Sequence, residues 1–459
     1  VDSQLRLVLN IPASEKTTKV DILRYAGKGE PALQSFAGLA RHRAGKTEAN
    51  QLTSLVSGGP ARWPEVLRTK GELGTESAAY TLDSLAIPES NPWNSWFRTA
   101  ALDFFKDGRM VITTHGGDVW IVSGIDRDLG SLKWKRFAAG LYEPFGVRVV
   151  NEQIYVTCKD RLTRLHDYNN DGEADFYESF SADTDVSFFF HAFNFDLQTD
   201  KDGNFYYAKA GQYTDHALPG AIITVSPDGK TREVYCTGFR TPNGMGMTPD
   251  GFPTVSDNQG SWMPASKVSM VRPGGFYGYV QTHARPGGWA PDGGRIDHKK
   301  VIPPKTFDQP IIWMPQDFDN SSGGQLWVDD ERWGPLAGRL LHTSFGKGWM
   351  YYFLLQDLGD VAQSGIVKLP LDFQTGIHRA RVNPKDGQVY AVGLNGWNGG
   401  GRRGLGEGGI QRVRFTGRDV KLVTDMKVRP RGIEFTFNFN PDEESATNLD
   451  SYDFTQWNY

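Results

Sequence analysis

Apolar and polar positions alternate along this chain in short runs that break at Asp-Gly or a close relative. The clear copies are ALDFFKDGRMVITTHGGDVWIV around Asp107-Gly108, FNFDLQTDKDGNFYYAKAG around Asp202-Gly203, GMGMTPDGFPTVSD around Asp250-Gly251 and ARVNPKDGQVYAVGL around Asp386-Gly387. Degenerate copies turn near Asn151, in GVRVVNEQIYVTC, and at Ala337-Gly338, in WGPLAGRLLHTSFGKGWMYYF. Asp-Gly between two alternating runs predicts a tight hairpin, because Gly accepts the positive φ that such a turn needs. The copies return at roughly 45–50 residues with one longer gap, the spacing of a four-stranded propeller blade. The expected fold is all-β, a six-bladed β-propeller with a seventh blade left open by the long gap, carrying a small N-terminal α+β extension.

Three regions follow. Residues 1–90 read as the extension, with strand-like RLVLNIP and KVDILRYAG and helix-like PALQSFAGLARHR and ANQLTSLV, and as the remnant of an upstream domain. Residues 91–420 read as the propeller, and 421–459 as a C-terminal strand with an acidic, polar tail. The long gap holds VQTHARPGGWAPDGGRIDHKKVIPPKTFDQP, whose weak strand pattern reads as a loop on the functional face.

Composition narrows the function. A net charge of -4 over 459 residues argues against nucleic acid or an anionic membrane as partner. No apolar run is long enough for a transmembrane segment. The chain opens on Val1 with no signal peptide, which reads as a chain either cytosolic or already processed, and a periplasmic or extracellular setting is expected on the second reading. Cys158 and Cys236 sit in strand-like runs and read as two buried free thiols, with a disulfide between them as the alternative.

The sharpest local motif is DYNNDGEADFYE, residues 167–178. Asp167, Asn169, Asp171, Glu173, Asp175 and Glu178 occupy the spacing of a twelve-residue calcium loop, with Gly172 at its sixth position. Ca²⁺ is a hard ion that takes six to eight oxygens, which this set offers together with a backbone carbonyl. The flanks look like strands, so this is a calcium loop without helices, at the end of its blade. The plain alternative is an acidic turn between two outer strands.

A second constellation follows from the repeat. Inner strands of a propeller begin at one mouth of the channel, so the residues preceding each copy converge there. They are Arg98, Glu143, His191, Arg240 with Asn243, Gln316 with Asp317, and His378 with Arg379, while Asp257, Gln259, Lys347 and Trp262 are placed to join them. His191, after an aromatic run, fits a general base, since imidazole takes a proton near neutral pH. Arg240 and Arg379 suit a developing oxyanion or an anionic cofactor. The plain alternative is a solvated funnel of charge pairs. No GxSxG, Walker, HExxH or CxxCH motif is present.

The run HAFNFDLQTDKDGNFYYAKAGQ, followed by GFRTPNGMGMTPDG, VRPGGFYGY and GRLLHTSFGKGWMYYF, resembles the soluble glucose and sorbosone dehydrogenases over residues 95–417. NPWNSW, GDVWIVSGID and RLHDYNNDGEADFYE are similar to the sorbosone-dehydrogenase-like segments of large planctomycete and verrucomicrobial multidomain proteins. The resemblance implies a six-bladed propeller that binds pyrroloquinoline quinone and calcium, oxidises a sugar or polyol, and passes electrons to a cytochrome c. It makes His191 the base and Arg240 the arginine beside the quinone carbonyl. Lys347, Arg379, Arg381, Asn243 and Gln259 are then the cofactor set. The family's R-N-P-Q-G reads Arg240-Thr241-Pro242-Asn243-Gly244 here, and its R-x-R-D stands as His378-Arg379-Ala380-Arg381.

TPNGMGMTPDG also resembles the metal-binding turn of gluconolactonases and regucalcin, which implies a metal-dependent lactonase or lyase with Asn243, Glu143 and Asp257 as oxygens. The remaining reading is a non-catalytic propeller that binds a glycan or a protein, with Trp262, Trp289 and Trp397 as platforms.

Overall fold

The structure is a computed structural model that describes residues 13, 15, 22–25, 29–43, 56–187, 189–212, 216–280, 304–359, 362–395 and 403–453. The chain divides into two compact units, Val1–Gly59 and Pro60–Tyr459. In the first, the expected helix is present as Glu30–Arg43, with Glu30 in its first turn and Arg41, His42 and Arg43 in its last, a charge order that suits the helix dipole. RLVLNIP lies outside the described residues, as does most of KVDILRYAG and ANQLTSLV; residues 22–25 form no regular element.

The second unit is a ring of six sheets. Each blade opens with an inner strand: Thr99–Phe104, Gly146–Val150, Asn194–Thr199, Gly244–Met247, Ser322–Trp327 and Ile377–Val382. In every blade the inner strand pairs antiparallel with the strand that follows it. All six recurring turns of the sequence fall between these two strands. Gly108 shows why the motif works there: its φ of 86° lies where a side chain is strained.

Blade 6 closes the ring with a strand from the other end of the propeller unit. Tyr80–Leu85 pairs with Gly408–Phe415, Leu85 opposite Ile410 and Tyr80 opposite Phe415. Residues 60–90, placed with the extension from sequence, therefore supply strands to two blades, since Val66–Thr69 pairs with Leu132–Ala138 of blade 1. The closure is pinned by Asp83, whose Oδ2 lies 2.7 Å from both Arg412 Nε and Arg414 Nε. Burial works to raise the Asp83 carboxyl, but hydrogen bonds from Arg414, the Gly74 N–H and Arg412 hold it below its usual range.

The core lies between blades. Trp120, Trp134 and Phe97 pack between blades 1 and 6, and Trp333, Tyr352 and Met350 between blades 5 and 6. Each buried aromatic of this kind contributes on the order of 2–3 kcal/mol. Beyond the ring, Val423–Arg429 and Gly432–Phe437 form a hairpin where one strand was expected, and a short helix follows at Glu443–Thr447. Residues 281–303 of the long interval, most of the expected functional loop, lie outside the described residues.

One irregularity shapes the channel. The ladder of blade 3 slips between Phe195 and Gln198, and Asp196 there has φ 57°. A bulge of this type redirects one side chain, and here it buries Asp196 completely. Gly146 makes room for it, since a Cβ there would sit 2.2 Å from the Asp196 carbonyl carbon.

Candidate functional site

Because inner strands start at the mouth and second strands return to it, two sets of loops meet there. The first set brings Arg98, Glu143, His191, Arg240, Asn243 and His378, as the sequence predicted. The second brings His115, Lys159, Gln212, Gln259 and Lys347, which lie beyond the ends of second strands. His115 was missed from sequence. The signal was available, because the turn after every second strand opens on the same face.

The floor of the mouth is aromatic. His378 stacks 4.4 Å from Phe345 and 5.5 Å from Phe145, and His115 lies 5.5 Å from Phe145 and 6.2 Å from Phe193. Asn243 ties this floor to two blades: its Oδ1 lies 2.9 Å from His378 Nδ1 and its Nδ2 donates to the Ser322 carbonyl at 2.8 Å. Burial, then Arg379, holds His378 well below the usual imidazole range, so its unpartnered Nε2 carries no proton at neutral pH. Asn243 is thus a structural clasp.

The rim is built from charge pairs and pinned loops. Lys159, 2% exposed, meets Glu143 at 3.0 Å and donates to the Phe189 carbonyl at 3.0 Å. Arg98 pairs with Glu407 at 3.4 Å. Asp257 accepts the N–H of Arg240 at 2.9 Å and of Thr241 at 2.7 Å, which fixes the loop ahead of blade 4. Burial pushes Asp257 up and its neighbour Lys267 down to about 8, each partly offset by the other.

His191 is half-buried, and its Nδ1 is sealed from water with no partner beyond its own backbone. Burial, followed by the nearby Arg240 guanidinium, lowers it to about 4. Gln212 Oε1, Thr241 Oγ1 and Gln259 Oε1 are likewise sealed and unpartnered. Lys347 sits in the mouth-side turn of blade 5, its Nζ 5.9 Å from the Trp349 ring. Trp262 is 37% exposed beside this rim, whereas Trp289 and Trp397 lie outside the described residues.

Arg379 and Arg381 are not on this rim. Arg379 lies inside the channel, with its Nε 3.2 Å from Asp196 and its Nη atoms donating to the His378 and Phe145 carbonyls. Arg381, four residues beyond the start of its strand, lies 3.4 Å from the same carboxylate, toward the opposite end. A strand rises about 3.3 Å per residue, so the pair is spread along the channel. Of the residues assigned to a quinone, Arg240, Gln259 and Lys347 stand at the mouth with an unpaired oxygen on Gln259. The two channel arginines are committed to Asp196.

The calcium loop joins Arg161–His166 to Phe176–Ala182, away from the channel. Asp167 accepts the Gly172 N–H, Asp171 the Glu173 N–H, and Asp175 the Tyr168 N–H. Glu173 accepts the Trp63 N–H. Glu178, the closing ligand of the sequence reading, turns instead to Arg164 at 2.6 Å and His166 at 2.7 Å. Arg164 and Glu178 are directly opposed across the ladder, which sets that pairing. Among the described residues no group of three or more His, Cys, Asp or Glu side chains is arranged to hold a metal ion. The loop fits calcium only if Glu178 leaves its partners. Asn243, Glu143 and Asp257, the oxygens of the lactonase reading, each hold a separate partner. Cys158 and Cys236 are buried and free, and burial pushes the Cys158 thiol up to about 12.

Fold and mouth together define a six-bladed β-propeller whose polar opening is ringed by imidazoles, amides and paired charges. No protein-family model matches the chain, and no curated protein is similar to it in sequence. Solved structures share the fold. The soluble aldose sugar dehydrogenase of Escherichia coli in its apo form superposes with a TM-score of 0.54 at 14% identity, over 73% of this chain and 99% of that one. A carbohydrate-active enzyme of family AA12 from Trichoderma reesei gives 0.53 at 10% identity, over 78% and 100%. An oxidoreductase of Thermus thermophilus, described as a glucose dehydrogenase, gives 0.50 at 16%, over 73% and 99%. At these identities the likeness establishes the propeller. No helix among the described residues is long and apolar enough to cross a membrane.

Proposed function

We propose that the mouth binds a sugar or polyol and oxidises one of its hydroxyl-bearing carbons, with His191 accepting the hydroxyl proton. The observation that carries this reading is the His191–Arg240 pair. The imidazole is neutral at every pH above about 5, because burial and Arg240 lower it to about 4. Its Nδ1 is sealed, so Nε2 is the nitrogen that meets a hydroxyl. As the proton leaves, the oxygen gains negative charge beside the Arg240 guanidinium, which stabilises it in a site with little water. Gln212 and Gln259, whose sealed oxygens have no partner in the ligand-free mouth, would turn those oxygens to the hydroxyls of a polyol and orient its ring. Pyrroloquinoline quinone, if bound, would supply the acceptor for the carbon's hydride, and Arg240, Gln259 and Lys347 would hold it, without the channel arginines. A cytochrome c is the natural next acceptor in such a chain.

The test is a dye-linked oxidation assay over a panel of aldoses and polyols, with and without added quinone and calcium, beside calorimetric titration of the same sugars. Turnover that disappears in His191→Ala while sugar binding persists supports the proposal. Sugar binding with no turnover under any acceptor overturns the oxidation and leaves a glycan-binding propeller.

A further inference from the structure

The opposite end of the channel is built for a different ligand. There the ends of the inner strands enclose a cavity of about 290 Å³, lined among others by Arg148, Gln198, Thr199, Gln325, Asp329 and Arg381. We propose that this cavity binds a small oxyanion, a carboxylate or phosphate group, between Arg148 and Arg381.

The argument is one of charge and unused donors. Three guanidiniums, those of Arg148, Arg379 and Arg381, face two carboxylates in the channel. Asp196 serves both Arg379 at 3.2 Å and Arg381 at 3.4 Å, and Asp103 serves Arg148 at 3.4 Å. Arg381 is 5% exposed, and its Nε and that of Arg148 are sealed without a partner, while the Nη atoms of the more exposed Arg148 are held only by Asp103 and Thr199, each at 3.4 Å. The remaining Arg381 donors go to the Ala380 and Leu197 carbonyls. A guanidinium carries five N–H groups and keeps its charge, so one whose outer donors are met only by long contacts gains when an acceptor enters the cavity beside it. The neighbouring amides do not supply it. Gln198 Nε2 points to Asp196 and the Met245 carbonyl, and Gln325 Nε2 to the Gly323 carbonyl. Asp329, exposed on the rim, is the one further carboxylate among the lining residues, and it limits the occupant to low charge. An oxyanion that offers two or more oxygens fits two guanidiniums in this setting, and the volume admits a small acid while leaving no room for a sugar polymer.

The test is calorimetric titration and thermal shift of the whole chain with inorganic phosphate and with malonate, against chloride at matched ionic strength. Saturable binding of phosphate or malonate, with no matching response to chloride, is expected, and the tighter of the two identifies the natural class. Arg148→Gln, whose side chain is 25% exposed and which leaves Asp196 and its partners in place, should weaken binding about tenfold. Asp329→Asn should tighten it several-fold by removing the like charge. Equal responses to all three salts, or an affinity unchanged in Arg148→Gln, would overturn the proposal.

Discussion

The two ends of the channel are made from the same six strands, yet they leave opposite groups unsatisfied. At the mouth the cations are answered, Lys159 by Glu143 and Arg98 by Glu407, and several of the atoms left over are acceptors, on Gln212, Gln259 and His378. At the far end the channel carboxylates Asp103 and Asp196 are answered and the leftovers include guanidinium N–H groups. Strand geometry is common to both, so the difference comes from which residues stand at the start and the end of each inner strand. What a propeller offers a ligand is set by the polar groups its own ring fails to pair.

The largest effect should come from Asp196, which stands between the ends. Asp196→Ala leaves two buried guanidiniums without their counter-ion and also releases the Met245 N–H. The expected cost is about 3–5 kcal/mol, read as a shift of the urea midpoint or as failure to fold. Glu143→Gln at the mouth takes the counter-ion from a buried Lys159, but the acid is 25% exposed, the amide oxygen can still accept, and Lys159 keeps the Phe189 carbonyl, so its cost should be smaller, about 1.5–3 kcal/mol. Equal costs would erase the contrast between a sealed channel and a solvated rim.

His191→Ala should separate function from stability. Turnover is expected to fall about 10²–10⁴-fold, the range for losing a general base, while the melting temperature holds, since the ring's Nδ1 has no partner outside its own residue to lose. A variant that melts early and keeps its turnover per folded molecule would make His191 a packing residue.

Acid should weaken the mouth side first. His191 and His216 are each lowered to about 4, and His378 well below the usual value, chiefly by burial. The unfolded chain protonates these rings near 6.5, so between about 6.5 and 4 it holds more protons than the folded one. Stability is therefore full above about 6.5 and falls as pH drops toward 4, by at most about 1.4 kcal/mol per pH unit for each histidine. Denaturation curves at pH 7.5, 6 and 5 check the sign, and a His191→Gln variant should flatten the slope. Stability that rises toward pH 5 would contradict the buried, neutral state of these rings.

Much of this molecule was legible in its sequence because the information was local. Turn chemistry at Asp107-Gly108, Asp202-Gly203, Asp250-Gly251 and Asp386-Gly387 needs only adjacent residues, and even the degenerate turns at Asn151 and Gly338 fall between the first two strands of a blade. The meeting of Arg98, Glu143, His191, Arg240 and His378 at one mouth followed from the repeat. What stayed hidden depended on distant partners. The strand Tyr80–Leu85 closes a ring with residues more than three hundred positions away, which no periodicity reports. Arg379 and Arg381 turned inward because a bulge in another blade buries Asp196 beside them. Glu178 satisfied the calcium spacing along the chain, yet ladder register set it opposite Arg164. The ends of second strands showed Gln259 and Lys347 in blades 4 and 5, and the same rule in blade 1 points to His115, which the sequence reading lacked.

The smallest effect tests the comparison most finely. Gln259 Oε1 is sealed and unpartnered at the mouth, so the folded protein loses water around it and gains nothing back. Gln259→Leu removes that penalty and should leave the ligand-free protein as stable as before, or more stable by up to about 1 kcal/mol. The corresponding change at the far end, Arg381→Met, deletes a partner of Asp196 and should destabilise. The loss in Gln259→Leu should appear only with ligand, when the amide turns its oxygen to a hydroxyl: the affinity for a sugar or polyol is expected to drop about fivefold, one neutral hydrogen bond, with phosphate and malonate binding unchanged. If Gln259→Leu instead weakens the ligand-free protein as Arg381→Met does, its oxygen is already satisfied, and the mouth loses its claim to be waiting for a hydroxyl.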